Sequence, residues 1–175
     1  MRLVIYDANP GPGLNNAFLK TAWQTWAWKQ KQTGEADAVF GAKYWSEALL
    51  WARQQRRITS LQYWGHGSSG AVWCGGDFLS TDRLEILKNF FAPDSYLWFR
   101  TCYTFKSMAG RLFARRAAET LGVKVAGHTK LIGLTQSGLQ ILKPNESPNW
   151  PEESGETVWC FQSKLPDMTN EKNKT

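Results

Sequence analysis

Short apolar runs of strand type alternate with stretches of helical periodicity along most of this 175-residue chain. That alternation constrains the fold more than any other feature. Residues 2–7 ("RLVIYD"), 37–42 ("DAVFGA"), 58–64 ("ITSLQYW"), 95–102 ("SYLWFRTC") and 123–129 ("VKVAGHT") read as strands. Between them lie helical stretches at 14–34, 44–57, 80–91 and 107–122, with Ser46, Ser80 or Thr81, and Ser107 as candidate caps and Gly34 and Gly122 as stops. Residues 70–80 read as a small hairpin turning on Gly75–Gly76, and 131–144 as a second hairpin. Strands separated by helices of this length pair in parallel through right-handed crossovers. The expectation is an α/β fold: a three-layer sandwich, mostly parallel in its central sheet, with about five core strands and helices on both faces. Residues 1–143 form the main domain. Residues 144–166 add a loop, with three prolines in 144–156, and a final strand, "TVWCFQS", to it, and 167–175 form a frayed tail.

Composition narrows the function classes. A 42% apolar share is ample for one core at this length. The ten tryptophans, several in helical stretches (Trp23, Trp26, Trp45, Trp51), read first as a bulky aromatic core and second as a stacking platform for bases or sugars. The net charge of +6 is scattered, and its densest clusters, Arg53–Arg57 and Arg111–Arg116, fall on solvated helix faces or ends. No nucleic-acid motif accompanies them, so a nucleic-acid partner is not expected. The cysteines, Cys74, Cys102 and Cys160, are odd in number and unpaired in spacing, which points to free thiols. No run approaches the roughly 18 apolar residues of a membrane span. "MRLVIYDANPGPG" lacks the pattern of a signal peptide, so a cytoplasmic chain is expected, with export by a signal-independent route left open.

In α/β folds the reactive crevice lies beyond the carboxyl ends of the strands. The residues expected there are Asp7, Gly65–Ser69, Thr101–Thr104 and His128–Thr129. His66 follows one strand between two glycines, and Cys102 ends the next. If those strands are parallel neighbours, both side chains emerge at one edge. An imidazole there can take a proton from the thiol or hold it as thiolate. Gly67 lets a substrate carbonyl approach the backbone, and the helix N-terminus near Ser107 favours negative charge there.

This order resembles the caspase-like fold of the clan CD cysteine peptidases. In that family an apolar strand ends in His-Gly, a hairpin and helix follow, and the next strand ends in the nucleophilic cysteine. "LQYWGHGSSG" and "YLWFRTC" match that order, and "AGRLFARRAAETLGVKVAGHT" is similar to the helix and strand that follow in bacterial members. The resemblance implies a cysteine endopeptidase with Cys102 as nucleophile, His66 as general base and the N–H groups of Gly67 and Cys102 as oxyanion hole. It also implies a peptide or protein substrate. Asp7 is the candidate for binding a basic substrate residue, with the initiation of the "DANP" turn as its other reading. Two departures, Thr101 before the cysteine and "YTF" after it, leave the shape of the specificity pocket open.

No cofactor or metal is expected, since two scattered histidines offer no ligand spacing. "GPG" after the first strand lacks the remainder of a phosphate-binding loop. Arg100 could meet an acidic substrate group, although its strand position turns it away, and His128 reads as a structural residue at a strand end. Cys160 reads as core. The rival to a peptidase is a non-catalytic binding or scaffold domain of the same architecture.

Overall fold

The computed structural model describes residues 1–166; the expected tail at 167–175 lies outside the described residues. The strands are β1 (Arg2–Asp7), β2 (Ala38–Ala42), β3 (Ile58–Trp64), β4 (Gly67–Ser68), β5 (Ala71–Cys74), β6 (Asp77–Phe78), β7 (Phe91–Arg100), β8 (Lys124–His128), β9 (Thr135–Leu142) and β10 (Glu156–Trp159). The helices are α1 (Leu14–Gln32), α2 (Trp45–Arg53), a 3₁₀ helix (Thr81–Leu87) and α3 (Ser107–Leu121). A seven-stranded sheet runs in the order β10-β9-β8-β7-β3-β1-β2, and β4-β5-β6 form a separate small sheet. The five strands from β2 to β8 are mutually parallel, while β9 and β10 are antiparallel. The fold is therefore α/β with a mostly parallel mixed sheet.

Strand β1 shows why the sheet is covered on both faces. Its side chains alternate, yet Leu3, Val4, Ile5 and Tyr6 are all buried. Leu3 and Ile5 join the large cluster built with α2, the 3₁₀ helix and α3, including Trp45, Leu84 and Phe113. Val4 and Tyr6 join the opposite cluster with Trp23, Ala27 and Trp64. A strand buried on both sides reads as a continuous apolar run, as this one does. Helix α1 meets the sheet through Trp23, Ala27 and Gln30, one face of the helix. The tryptophans are largely core: Trp23, Trp45, Trp64, Trp98 and Trp150 are buried.

Three local expectations are corrected. Within 131–144 only residues 135–142 form a strand, β9, which turns back on β8 in a β8–β9 hairpin (Ala126↔Ile141, Gly127↔Gln140), and a single antiparallel bridge, Ile132↔Gln136, is all that remains of a hairpin inside the segment. The stretch at 80–91 is only a 3₁₀ helix, and β7 takes over at Phe91. Ser46 and Ser107 lie inside their helices, after N-cap residues Tyr44 and Lys106, and Ser80 holds the N-cap position without a capping bond. Gly122 does close α3, in the left-handed region at φ 69°. Among the described residues no helix is long and apolar enough to cross a membrane.

Candidate functional site

Chain order and sheet order part company at β1. From β1 the chain moves to β2 on one side, then returns past β1 to β3 on the other. This reversal between β1 and β3 is where an α/β sheet opens a crevice beyond its carboxyl ends. Asp7 ends β1 and His66 follows β3 there. Next to β3 lies β7, and their parallel register pairs Tyr63 with Phe99 and Trp64 with Arg100. His66 and Cys102 each stand two residues beyond that last pair in sequence, in the loops that leave these two neighbouring strands.

The loops that carry them stay in contact. A Cβ on Gly67 would meet Thr104 Oγ1 at 2.5 Å and Thr101 Cβ at 2.7 Å. Only a glycine lets the histidine loop lie this close to the cysteine turn. Gly65 is required for a similar reason, since a Cβ there would stand 2.6 Å from the Tyr63 hydroxyl. That hydroxyl in turn donates to Trp73 O at 2.6 Å, locking the hairpin. Gly70 N–H donates to Thr104 O at 3.0 Å and Ser69 Oγ to Lys106 O at 2.7 Å, so the hairpin is laced to the start of α3. Ser107, expected as a helix cap, instead meets the Ser69 hydroxyl.

Two backbone donors remain unspent at this edge. In the β4–β5 ladder His66 O accepts Trp73 N–H, and Gly67 stands opposite Val72. Bonded and non-bonded pairs alternate in an antiparallel ladder, so the Gly67 N–H points away from β5. Val72 O is already used by Leu79 N–H and the Trp45 indole. The Cys102 N–H likewise has no protein acceptor among the described residues.

The His66 ring lies edge-on to Trp23 of α1, with centroids 5.2 Å apart, and its Nε2 is 3.1 Å from Asn16 Oδ1. Cys102 is half-buried, and its thiol faces Ile132 O at 3.9 Å. Burial pushes that thiol up from its ordinary range, so the resting sulfur is protonated. The turn that follows is strained: Tyr103 and Ser107 hold left-handed φ angles of 55° and 62°. Tyr103 N–H bonds Lys130 O, and Phe105 N–H bonds His128 O at 3.0 Å, which ties the turn to the end of β8.

Asp7 is 1% exposed. Its carboxylate accepts Asn9 N–H at 2.8 Å and Gly75 N–H at 3.1 Å. Burial raises its pKa despite these bonds. The first bond is the turn initiation that was the other reading of this residue. The second holds the β5–β6 turn, where Gly75 has φ 59° and a Cβ would sit 1.8 Å from Lys43 O. Asp7 is thus a clamp between β1 and the hairpin.

Arg100 is also buried, not directed at the crevice. Its guanidinium carbon lies 4.0 Å from the Trp64 ring centre and 4.2 Å from that of Trp98. It donates to Gln136 Oε1, Gln62 Oε1 and the carbonyls of Trp159, Cys160 and Gln162. Sequence reasoning missed this residue's role, because its acceptors come from three separate segments. Burial pushes its pKa down to about 9, so it stays charged at neutral pH. His128 is fully buried and structural: Nε2 accepts the Trp98 indole N–H at 3.2 Å, and Nδ1–H donates to Ser137 O at 3.1 Å. Cys74 and Cys160 are buried, and burial pushes Cys74 up to about 12.

A groove of about 400 Å³ between Arg2, Tyr96, Lys124 and Leu165 opens at the opposite edge of the sheet, away from these residues. No group of three or more His, Cys, Asp or Glu able to hold a metal ion occurs among the described residues. No protein-family model matches this chain, and neither a curated protein nor a solved structure matches it.

Proposed function

We propose that this chain is a cysteine endopeptidase of the caspase-like kind, with a His66–Cys102 dyad. The observation that carries the reading is the register Trp64↔Arg100, which sets both residues two positions past one pair beside the switch point. His66 takes the thiol proton as Cys102 Sγ attacks the peptide carbonyl carbon. The electron pair of the carbonyl moves to its oxygen, and the free N–H groups of Gly67 and Cys102 receive the charge. The imidazolium then gives its proton to the leaving amine, and the C–N bond breaks. Water, deprotonated by the same ring, cleaves the thioester and restores the thiol. Because the resting sulfur is protonated, the proton transfer belongs to the reaction itself.

The crevice edge carries exposed apolar side chains, Leu131 and Leu134, on the loop whose Ile132 carbonyl meets the Cys102 thiol. With Asp7 engaged by backbone donors, a preference for a basic residue before the cut has less support than sequence reasoning gave it. A non-catalytic scaffold is the second reading, favoured by one observation: burial holds the Cys102 thiol in its unreactive form.

A peptide library from a digested proteome tests both. Wild type should create new termini at one class of bond, and Cys102→Ala should create none. Equal yields from the two proteins would leave the scaffold reading.

A further inference from the structure

The segment "NPGPGLNN", residues 9–16, has the look of a phosphate turn but winds around one of its own side chains. Asn16 Nδ2 donates to Pro10 O at 2.9 Å and Pro12 O at 3.1 Å. Carbonyl oxygens only accept, so the amide atom facing them is the NH₂ group. The opposite atom, Oδ1, is therefore the one turned to His66 Nε2 at 3.1 Å. It also only accepts, so Nε2 must carry the hydrogen. In the neutral ring that leaves the lone pair on Nδ1. Gly11 and Gly13 make the winding possible, with φ of 96° and 112° that side chains rarely adopt. Trp23, on the same helix as Asn16, packs edge-on against the ring and limits its rotation.

We propose that Asn16 is a positioning residue: the Pro-Gly turn orients its amide so that His66 is held as the Nε2–H tautomer with Nδ1 as the base. This rests on the peptidase reading for its use, but not for its geometry. A base must present its lone pair where the proton is, and a ring free to exchange tautomers does so only part of the time. Asn16 touches no reacting atom in this scheme and acts only through His66.

Nitrogen-15 NMR of ring-labelled histidine decides it, since only His66 and His128 contribute signals. At a pH where the ring is neutral, wild type should show His66 Nδ1 unprotonated and Nε2 protonated. Asn16→Ala should shift His66 toward a tautomer mixture, leave His128 unmoved and keep the fold. Asn16→Asp keeps an acceptor but loses the NH₂ group that the Pro10 and Pro12 carbonyls hold in place, so it should not restore the wild-type pattern. In peptide hydrolysis Asn16→Ala should lower kcat roughly tenfold to a hundredfold, part of what general-base catalysis contributes, with KM unchanged. A wild-type ring protonated on Nδ1, or an Asn16→Ala spectrum identical to wild type, overturns the proposal. Absence of hydrolysis with the expected spectra would fail the peptidase reading and leave the Asn16–His66 pairing standing.

Discussion

Trp64 and Arg100 are partners across the β3–β7 ladder, and the Arg100 guanidinium lies 4.0 Å from the Trp64 ring centre. The pair fixes the relative height of two strands at the point where both leave the sheet. One residue further on each strand begins the loop that carries His66 or Cys102. The charge is balanced by a cage of neutral acceptors and two indole faces, not by a carboxylate.

Arg100→Met should therefore be severely destabilising. It strands the oxygens of Gln62 and Gln136 and releases the 159–162 segment from the sheet. The expected loss is about 3–5 kcal/mol in urea unfolding, from several buried acceptors left unsatisfied at about 1–3 kcal/mol each. Arg100→Lys should recover little, since an ammonium cannot fork to these acceptors or lie flat between two indoles.

His128 makes the fold acid-sensitive. Burial holds its pKa down at about 3, against an ordinary 6.5. Between those values the unfolded chain binds the proton and the folded chain does not, so stability is complete above about 6.5 and falls as the pH drops toward 3. Thermal melts from pH 7 to pH 4 should show the decline, of order a few kcal/mol. His128→Gln, which keeps a donor and an acceptor, should flatten that slope.

Gly67→Ala separates packing from chemistry. The added methyl would press on Thr101 and Thr104, both fully buried. The histidine loop must lift from the cysteine turn, at a cost of about 1–3 kcal/mol. Peptide cleavage should fall far more than stability does, and hydrolysis assays beside urea melts read the two separately.

Asp7→Ala should loosen the hairpin without changing the residue preferred before the cut. Loss of the Asn9 and Gly75 bonds is expected to cost about 1–3 kcal/mol. A selective loss of turnover for Lys or Arg substrates with unchanged stability would return Asp7 to the substrate pocket.

The elements that define the crevice were legible in the sequence because their signals are local. Ile58–Trp64 reads as a strand closed by glycine even though Thr59, Ser60 and Gln62 interrupt its apolar residues, and Gly75–Gly76 marks a turn that both residues enter at positive φ. That the strands before His66 and Cys102 would be parallel neighbours was a conditional expectation, and the β3–β7 ladder meets it. What escaped was non-local. Asn16 reaches His66 across 50 residues through a turn built of prolines and glycines. Arg100 draws acceptors from β3, β9 and the segment after β10. The candidate serine caps failed for another reason: Ser107 is drawn to Ser69 of the hairpin, so tertiary contact overrode local preference. The β8–β9 hairpin was misread because the exposed "LIGL" stretch is apolar without being part of a strand core.

The central claim is that His66 takes the proton of Cys102. Its most direct measurement is the alkylation rate of Cys102 at neutral pH by a small electrophile, read site by site in wild type and His66→Ala. Cys74 serves as a buried internal control, with burial pushing its thiol up to about 12. The account predicts that wild-type Cys102 reacts first among the three thiols, and that loss of the imidazole slows it about a hundredfold while Cys74 is unaffected. Equal Cys102 rates with and without His66 would contradict it.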